Sequence, residues 1–230
     1  MDIDALNRLD QALTLYINGS ESVFWDNVMI TVTDTFSWSL VIVVLLYILF
    51  KNCTFKEFML TVLVMGLLIF VADRICSGWV KPTVARWRPT QDPLIMYLVD
   101  TVRDYRGGSY GFFSGHSCNT FCVATYLSLL FRSKRVSLTL FFWAATTTFT
   151  RLYLGVHYLG DVTVGFFVGI TLGTLFYFIL YYIKKKMHTV RLISEQFTPS
   201  GFLRCDMDMF LAVVFFNYIC VVVVSMIRGV

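Results

Sequence analysis

Eight residues of this 230-residue chain combine types and spacings that could handle a phosphate group: Lys81, Arg88, Ser114, Gly115, His116, Arg151, His157 and Asp161. Guanidinium forks match phosphate oxygens in pairs and an ammonium adds a compact charge, so the three cations could cradle the anion with no metal. Lys81 and Arg88 stand seven residues apart, which on a helix would put them within about 20° of one face. Pro82 would open that helix and Pro89 would end it. Ser114 and Gly115 precede an apolar run, and the free N–H groups and dipole of a helix start favour an anion as well. His157 and Asp161 are four residues apart, one turn of a helix. A carboxylate bonded to one imidazole nitrogen fixes the tautomer and leaves the other nitrogen free as a nucleophile. His116, from a different segment, could protonate a leaving alcohol. A phosphohistidine on His157, attacked by water, would complete a hydrolysis.

Taken singly, each feature has a plainer explanation. Basic residues at the ends of apolar runs usually anchor helices, and a lone interfacial histidine is usually solvated. His157 with Asp161 could be a hydrogen bond at a helix start or half a metal site. Against a metal, the six cysteines (Cys53, Cys76, Cys118, Cys122, Cys205, Cys220) are scattered with no C-x-x-C pair, and Cys118 and Cys122 fall inside an apolar run as small packing residues. Neither a metal nor another cofactor is expected. It is the convergence of three polar clusters that carries the signal.

The elements that must position these residues follow from composition. The hydrophobic class makes up 57% of the chain and charged residues 15%, with mean hydropathy +0.69. A soluble domain runs at about 45–50% and about 25%, so this chain could not cover its apolar surface with polar groups. The apolar residues must face a lipid bilayer, and the fold class is all-α: a polytopic helical membrane protein. Five runs approach the length of a span, Phe58–Val80, Phe112–Phe131, Val136–Leu154, His157–Ile183 and Met209–Ile227, and a shorter sixth covers Phe36–Phe50. Phe24–Thr35, with Asp26, Asn27 and Asp34, should sit half in and half out. Ala5–Ile17 places Leu6, Leu9, Leu13 and Ile17 at helical spacing, an amphipathic helix expected on the membrane surface. Gly165, Gly169 and Gly173 recur every four residues, a face for close helix packing. The whole of 1–230 is expected to form one integral-membrane domain, its chemistry within 81–161.

Charge supplies the orientation. The net charge of +4, from 19 basic and 15 acidic residues, is too small and dispersed for a nucleic-acid partner. Lys51, Lys56, Arg132, Lys134, Arg135, Lys184, Lys185, Lys186, Arg191 and Arg204 fall in the loops after spans one, three and five, which should be cytoplasmic. The three chemical clusters would then share the opposite, extracytoplasmic face. Met1-Asp2-Ile3-Asp4 lacks the basic start of a cleaved signal peptide.

Taken together, the spacings resemble the type 2 phosphatidic acid phosphatase superfamily, membrane lipid phosphatases whose sites are related to those of vanadium haloperoxidases. Its pattern is Lys-(six residues)-Arg-Pro, then Pro-Ser-Gly-His, then Ser-Arg-(five residues)-His-(three residues)-Asp. Lys81, Arg88 and Pro89 match the first motif; Ser114, Gly115 and His116 match the second, with Phe113 in place of its proline; Arg151, His157 and Asp161 match the third, with Thr150 in place of its serine. The resemblance implies six spans and metal-independent hydrolysis of a lipid phosphomonoester or diphosphate, with no cofactor. It implies that Lys81, Arg88 and Arg151 hold the phosphate with Ser114 and Gly115 assisting, that His157 attacks, that Asp161 orients it, and that His116 is the acid. Relatives act on phosphatidic acid, phosphatidylglycerophosphate, undecaprenyl diphosphate or lipid A phosphates, and a compact chain resembles bacterial members working at the outer face of the cytoplasmic membrane. The competing class is a non-catalytic lipid-phosphate binder or transporter. It predicts charges deep within several spans, where only Asp73-Arg74 interrupts an apolar run, or a lost nucleophile, whereas His157 is present.

Overall fold

In the computed structural model, which describes residues 3–186 and 195–228, the chain is built from helices. They are α1 (Ile3–Ile17), α2 (Val23–Thr33), α3 (Ser39–Asn52), α4 (Phe55–Asp73), α5 (Lys81–Val84), α6 (Gly115–Phe131), α7 (Lys134–Tyr153), α8 (Leu159–Lys185) and α9 (Arg204–Ile227). A 3₁₀ turn (Thr35–Trp38) leads into α3, and a π-helical stretch (Arg74–Val80) joins α4 to α5. Arg191 lies outside the described residues.

Among the described residues, α3, α4, α6, α7, α8 and α9 pack together as a bundle. At one end Lys51 meets Asp206 at 2.7 Å, Asn52 bonds Asp206 and the Leu203 N–H, and the Ser200 hydroxyl donates to the Phe131 carbonyl. These contacts gather the close of α3, the close of α6 and the start of α9. The starts of α6 and α8 meet at the other end, where the Ser114 N–H donates to the Asp161 carbonyl at 3.0 Å. The basic loops therefore stand opposite the three chemical clusters, as their positions in the chain require.

Among the described residues, four stretches are both long and apolar enough to cross a membrane: Thr35–Asn52, Phe55–Val84, Leu159–Lys185 and Arg204–Ile227. Their most apolar windows are only 22–28% buried inside the protein, so most of that surface faces outward. The expected runs Phe112–Phe131 and Val136–Leu154 form α6 and α7, which fall short of that apolarity for a physical reason. α6 is buried along most of its length, Ser117, Thr120 and Thr125 included, and a helix wrapped by protein need not present hydrocarbon to lipid. α7 carries Thr146, Thr147, Thr148 and Thr150, of which Thr147 and Thr150 are buried.

Gly165, Gly169 and Gly173 do line a close contact. A methyl group on Gly169 would stand 2.7 Å from the Cys118 carbonyl oxygen, and one on Gly173 would stand 2.6 Å from that of Cys122. Backbone therefore meets backbone along α6 and α8, and this contact fixes the height of His116 against that of Asp161. Most of the stretch Phe24–Thr35 lies in α2. Val23–Thr33 is one helix capped by Ser22, with Asn27, Val28, Thr31 and Val32 buried.

The α6–α8 contact generates a stability prediction. Gly169→Val should lower the denaturation midpoint in detergent, by roughly 1–3 kcal/mol of overpacking. Gly66→Val, where nothing lies within 4 Å of the new methyl, should leave it nearly unchanged.

Candidate active site

Two local departures from the expected helices build the site. Lys81 and Arg88 do not share a helix. The π-helical stretch runs straight into α5, so Pro82 sits inside a continuing helix, and Ala85, in the left-handed conformation at φ 49°, stops it one turn later. Arg88 lies on extended backbone: Trp87 pairs with Tyr110, the Arg88 N–H donates to Ser109 and the Gly111 N–H donates to Arg86. Pro89 begins a short 3₁₀ turn, Pro89–Gln91. His157, likewise, is not in α8. It precedes Tyr158, the residue that caps the helix, and its one-turn relation to Asp161 comes from the cap, in which Asp161 accepts the Tyr158 N–H at 3.1 Å.

The pair forms nonetheless. His157 Nδ1 lies 3.3 Å from Asp161 Oδ2, with both side chains buried, and the Gly111 carbonyl also faces the imidazole. His157 Nε2 lies 3.2 Å from Arg88 Nη1. A guanidinium has no lone pair to offer, so Nε2 must accept, which places the ring proton on Nδ1 beside Asp161. The unprotonated nitrogen thus points toward the cations. Burial, then the charges of Arg88, Arg151 and Lys81, hold the His157 imidazole well below its ordinary value of 6.5.

Arg88 is anchored by the Tyr110 and Val156 carbonyls at 3.2 and 3.0 Å; burial, then the nearby Arg151, lowers its pKa. Arg151, at the close of α7, donates to the Thr33 hydroxyl at 2.7 Å and the Tyr105 hydroxyl at 3.2 Å. Burial would raise the Tyr105 phenol, but Arg151 outweighs it and the net shift is downward. Lys81 Nζ reaches the start of α6, 4.0 Å from where a methyl on Gly115 would stand. Among the described residues none of these three cations forms an ion pair with a carboxylate. Arg86, by contrast, forms two, with Asp161 Oδ1 at 2.9 Å and Asp10 Oδ2 at 2.8 Å. Burial works against its charge, but the two carboxylates prevail and raise its pKa.

Ser114 is buried at the start of α6. Its hydroxyl caps α6 by accepting the Ser117 N–H at 3.4 Å. The first-turn N–H groups at Gly115 and His116 are the ones a helix start leaves without intrahelical partners. The His116 side chain is exposed, and Arg151, His157, Lys81 and Arg88 all lie close enough to act on it electrostatically. Phe113 is buried with its carbonyl accepting the Cys76 thiol, and Thr150 turns its hydroxyl back to the Thr147 carbonyl; neither replacement removes a charge from the pocket. Behind His116 and Thr33 an apolar cavity of about 450 Å³ runs between α3, α4, α6, α7 and α9, lined by Trp38, Met65, Leu127 and Phe210 among others.

Asp10, Thr33, Arg86, Tyr105 and Gly111 were not singled out from the sequence. Arg86 lay in view between Lys81 and Arg88, but nothing in the spacing distinguished its partners from theirs. Asp10 and Thr33 carry no local signal, because they arrive from far along the chain.

A bundle of membrane-crossing helices with unpaired cations around a buried, tautomer-fixed imidazole defines an integral-membrane phosphatase. Residues 57–186 match the PAP2 superfamily, and the chain belongs to it. It is 39% identical over 199 residues to a lipid A 4'-phosphatase of Bacteroides thetaiotaomicron, covering 86% of each chain. To a lipid A 4'-phosphatase of Porphyromonas gingivalis it is 31% identical over 179 residues, 78% of this chain and 76% of that one. The fold is similar to the crystal structure of a transmembrane PAP2-type phosphatidylglycerolphosphate phosphatase from Bacillus subtilis, with TM-score 0.58 and 24% identity, covering 81% of this chain and 90% of that one.

The imidazole's surroundings make a prediction in pH. His157 should stay neutral, with its proton on Nδ1, at pH values well below 6.5, as read from ¹⁵N chemical shifts of the histidine-labelled protein in detergent. The unfolded chain binds that proton near 6.5 and the folded chain does not. This residue therefore subtracts stability increasingly as pH falls below 6.5, and subtracts nothing above it.

Proposed function

We propose that this protein hydrolyses a phosphate from a membrane lipid phosphomonoester or diphosphate through a phosphohistidine intermediate, and that 1–230 is one integral-membrane phosphatase domain. The observation that carries the reading is the set of three cations, Lys81, Arg88 and Arg151, that lack a carboxylate partner among the described residues and act on the His157 imidazole, Arg88 at 3.2 Å from Nε2 and the other two through their charge. A phosphate dianion supplies the missing countercharge and sets its phosphorus before that nitrogen. The N–H groups of Gly115 and His116 add to the cradle, with Ser114 holding the helix start in place.

In the proposed reaction His157 Nε2 attacks phosphorus and Asp161 stabilises the imidazolium formed at Nδ1. The P–O bond to the lipid breaks, and His116 gives its proton to the departing oxygen. Water then attacks the phosphohistidine, its proton passing to His116, and inorganic phosphate leaves. The apolar cavity beginning at His116 supports a lipid leaving group, since it puts hydrocarbon on the side where the departing oxygen must lie. Among candidate lipids, the two lipid A 4'-phosphatases matched over most of this chain favour a phosphorylated glycolipid of the lipid A type. Phosphatidic acid, phosphatidylglycerophosphate and undecaprenyl diphosphate are the comparison substrates for a phosphate-release assay.

The test separates the two histidines, in excess chelator. His157→Ala should abolish turnover on alkyl and aryl phosphates alike. His116→Ala should cripple the alkyl substrate and recover part of its rate on p-nitrophenyl phosphate, whose leaving anion needs the proton less. An aryl substrate that rescues the His157 variant instead would reverse the assignment, and activity that requires an added divalent ion would remove the cation cradle as its basis.

We place the protein in a bacterial cytoplasmic membrane with this site on the extracytoplasmic face, because Lys51, Arg132, Lys184 and Arg204 stand at the other end. Gly108 lies on the site face with nothing within 4 Å of an added methyl. In a background lacking the native cysteines, Gly108→Cys should be labelled in intact spheroplasts by a membrane-impermeant maleimide. Labelling only after permeabilisation would invert the topology.

A further inference from the structure

We infer that Arg86 is a positioning residue for the His157–Asp161 pair, held in place by Asp10 on α1. The amphipathic surface helix is thereby part of the catalytic apparatus. The inference rests on the role proposed for Asp161 above.

Asp161 is fully buried and each of its oxygens has a separate duty. Oδ2 serves His157 and the Tyr158 N–H, and Oδ1 takes Arg86 Nη1 at 2.9 Å. The other end of the same guanidinium, Nη2, reaches Asp10 Oδ2 at 2.8 Å. The group also lies over the Tyr158 ring, its Cζ 4.1 Å from the ring centre, and the Tyr158 hydroxyl donates to Asp92 at 2.6 Å. Arg86 does not pair with His157, and its two carboxylates already balance its charge, so it is not equipped to bind phosphate as Arg88 and Arg151 are. It can act on the reaction only through Asp161.

α1 does more than anchor this arginine. Asp10 Oδ1 accepts the Gly160 N–H at 2.9 Å and Thr14 Oγ1 accepts the Leu159 N–H at 3.1 Å, so α1 supplies partners for two first-turn N–H groups of α8. Asn18 continues the seam, donating to the Tyr153 carbonyl at 2.8 Å and accepting the Asp100 N–H at 2.7 Å. The adjoining face of α1 leaves Leu6, Leu9 and Leu13 exposed beside this polar seam, where a bilayer surface would cover them. A single short helix would thus meet lipid along one side while the adjoining side steadies Arg86 and, through it, the carboxylate proposed to orient the nucleophile.

A brace that merely stabilised the fold would not change kcat in step with Asp161, and a double-mutant cycle reads that difference. On p-nitrophenyl phosphate in detergent micelles, Arg86→Ala should lower kcat by about 10²-fold with little change in KM. Asp10→Asn keeps the shape and the bond to Gly160 but loses the charge facing Arg86, and should lower kcat by about tenfold. In an Asp161→Asn background each should change kcat by less than about twofold. Losses that multiply with Asp161→Asn, a rise in KM at constant kcat, or wild-type kcat in both single variants would each overturn the positioning role. If Asp161→Asn itself keeps the wild-type rate, the functional reading beneath it fails instead. Should Arg86→Ala not survive gel filtration, Arg86→Lys and Asp10→Asn complete the cycle on folded protein.

Discussion

A buried carboxylate is the constraint around which this end of the bundle is arranged. Asp161 has no exposed surface, and an ionised carboxylate out of water is costly unless every lone pair is engaged. Its partners come from His157, from Tyr158 at the cap of α8, and from Arg86 in the loop after α5. Its backbone carbonyl takes the N–H of Ser114, the residue that begins α6. Satisfying one side chain therefore locks together the start of α6, the start of α8 and the loop carrying Arg88. The His157 tautomer is a by-product of that satisfaction, and the tautomer decides which nitrogen keeps a free lone pair.

A second constraint is the solvent. Backbone polar groups in a bilayer must be satisfied within the protein, which leaves helices as the spanning elements. Surface chemistry then divides the helices by position. α3, α4, α8 and α9 turn apolar surface outward, while α6 can carry Ser117, Thr120 and Thr125 because its neighbours enclose it. The glycines of α8 let the two innermost helices approach at backbone distance, so His116 and His157 are set against one pocket by helices that cannot slide past each other.

The electrostatics of the pocket are deliberately unbalanced. Arg86 is neutralised twice and serves the scaffold; Lys81, Arg88 and Arg151 have no carboxylate partner among the described residues, and await an anion. Burial and the same three charges that would bind phosphate hold the His157 imidazole neutral, so in the proposed reaction one arrangement would both attract the substrate and keep its nucleophile ready.

Much of this was legible in the sequence. The hydrophobic composition sets the solvent, and the spacings of Lys81, Arg88, Ser114, Gly115, His116, Arg151, His157 and Asp161 point to the candidate site, because residue type and motif spacing are linear properties of the chain. What the chain could not disclose alone is which polar groups would be paired. Helical spacing suggested a shared face for Lys81 and Arg88, yet Ala85 turns left-handed between them and Arg88 reaches the site on extended backbone. Arg86 and Arg88 are alike by type and neighbourhood; only tertiary structure gives one of them two carboxylates and the other, among the described residues, none. Asp10 meets Arg86 across 76 positions, a contact created when α1 folds back onto the α7–α8 turn. Pairing depends on distance in space, and the free energy of a buried charge is decided there.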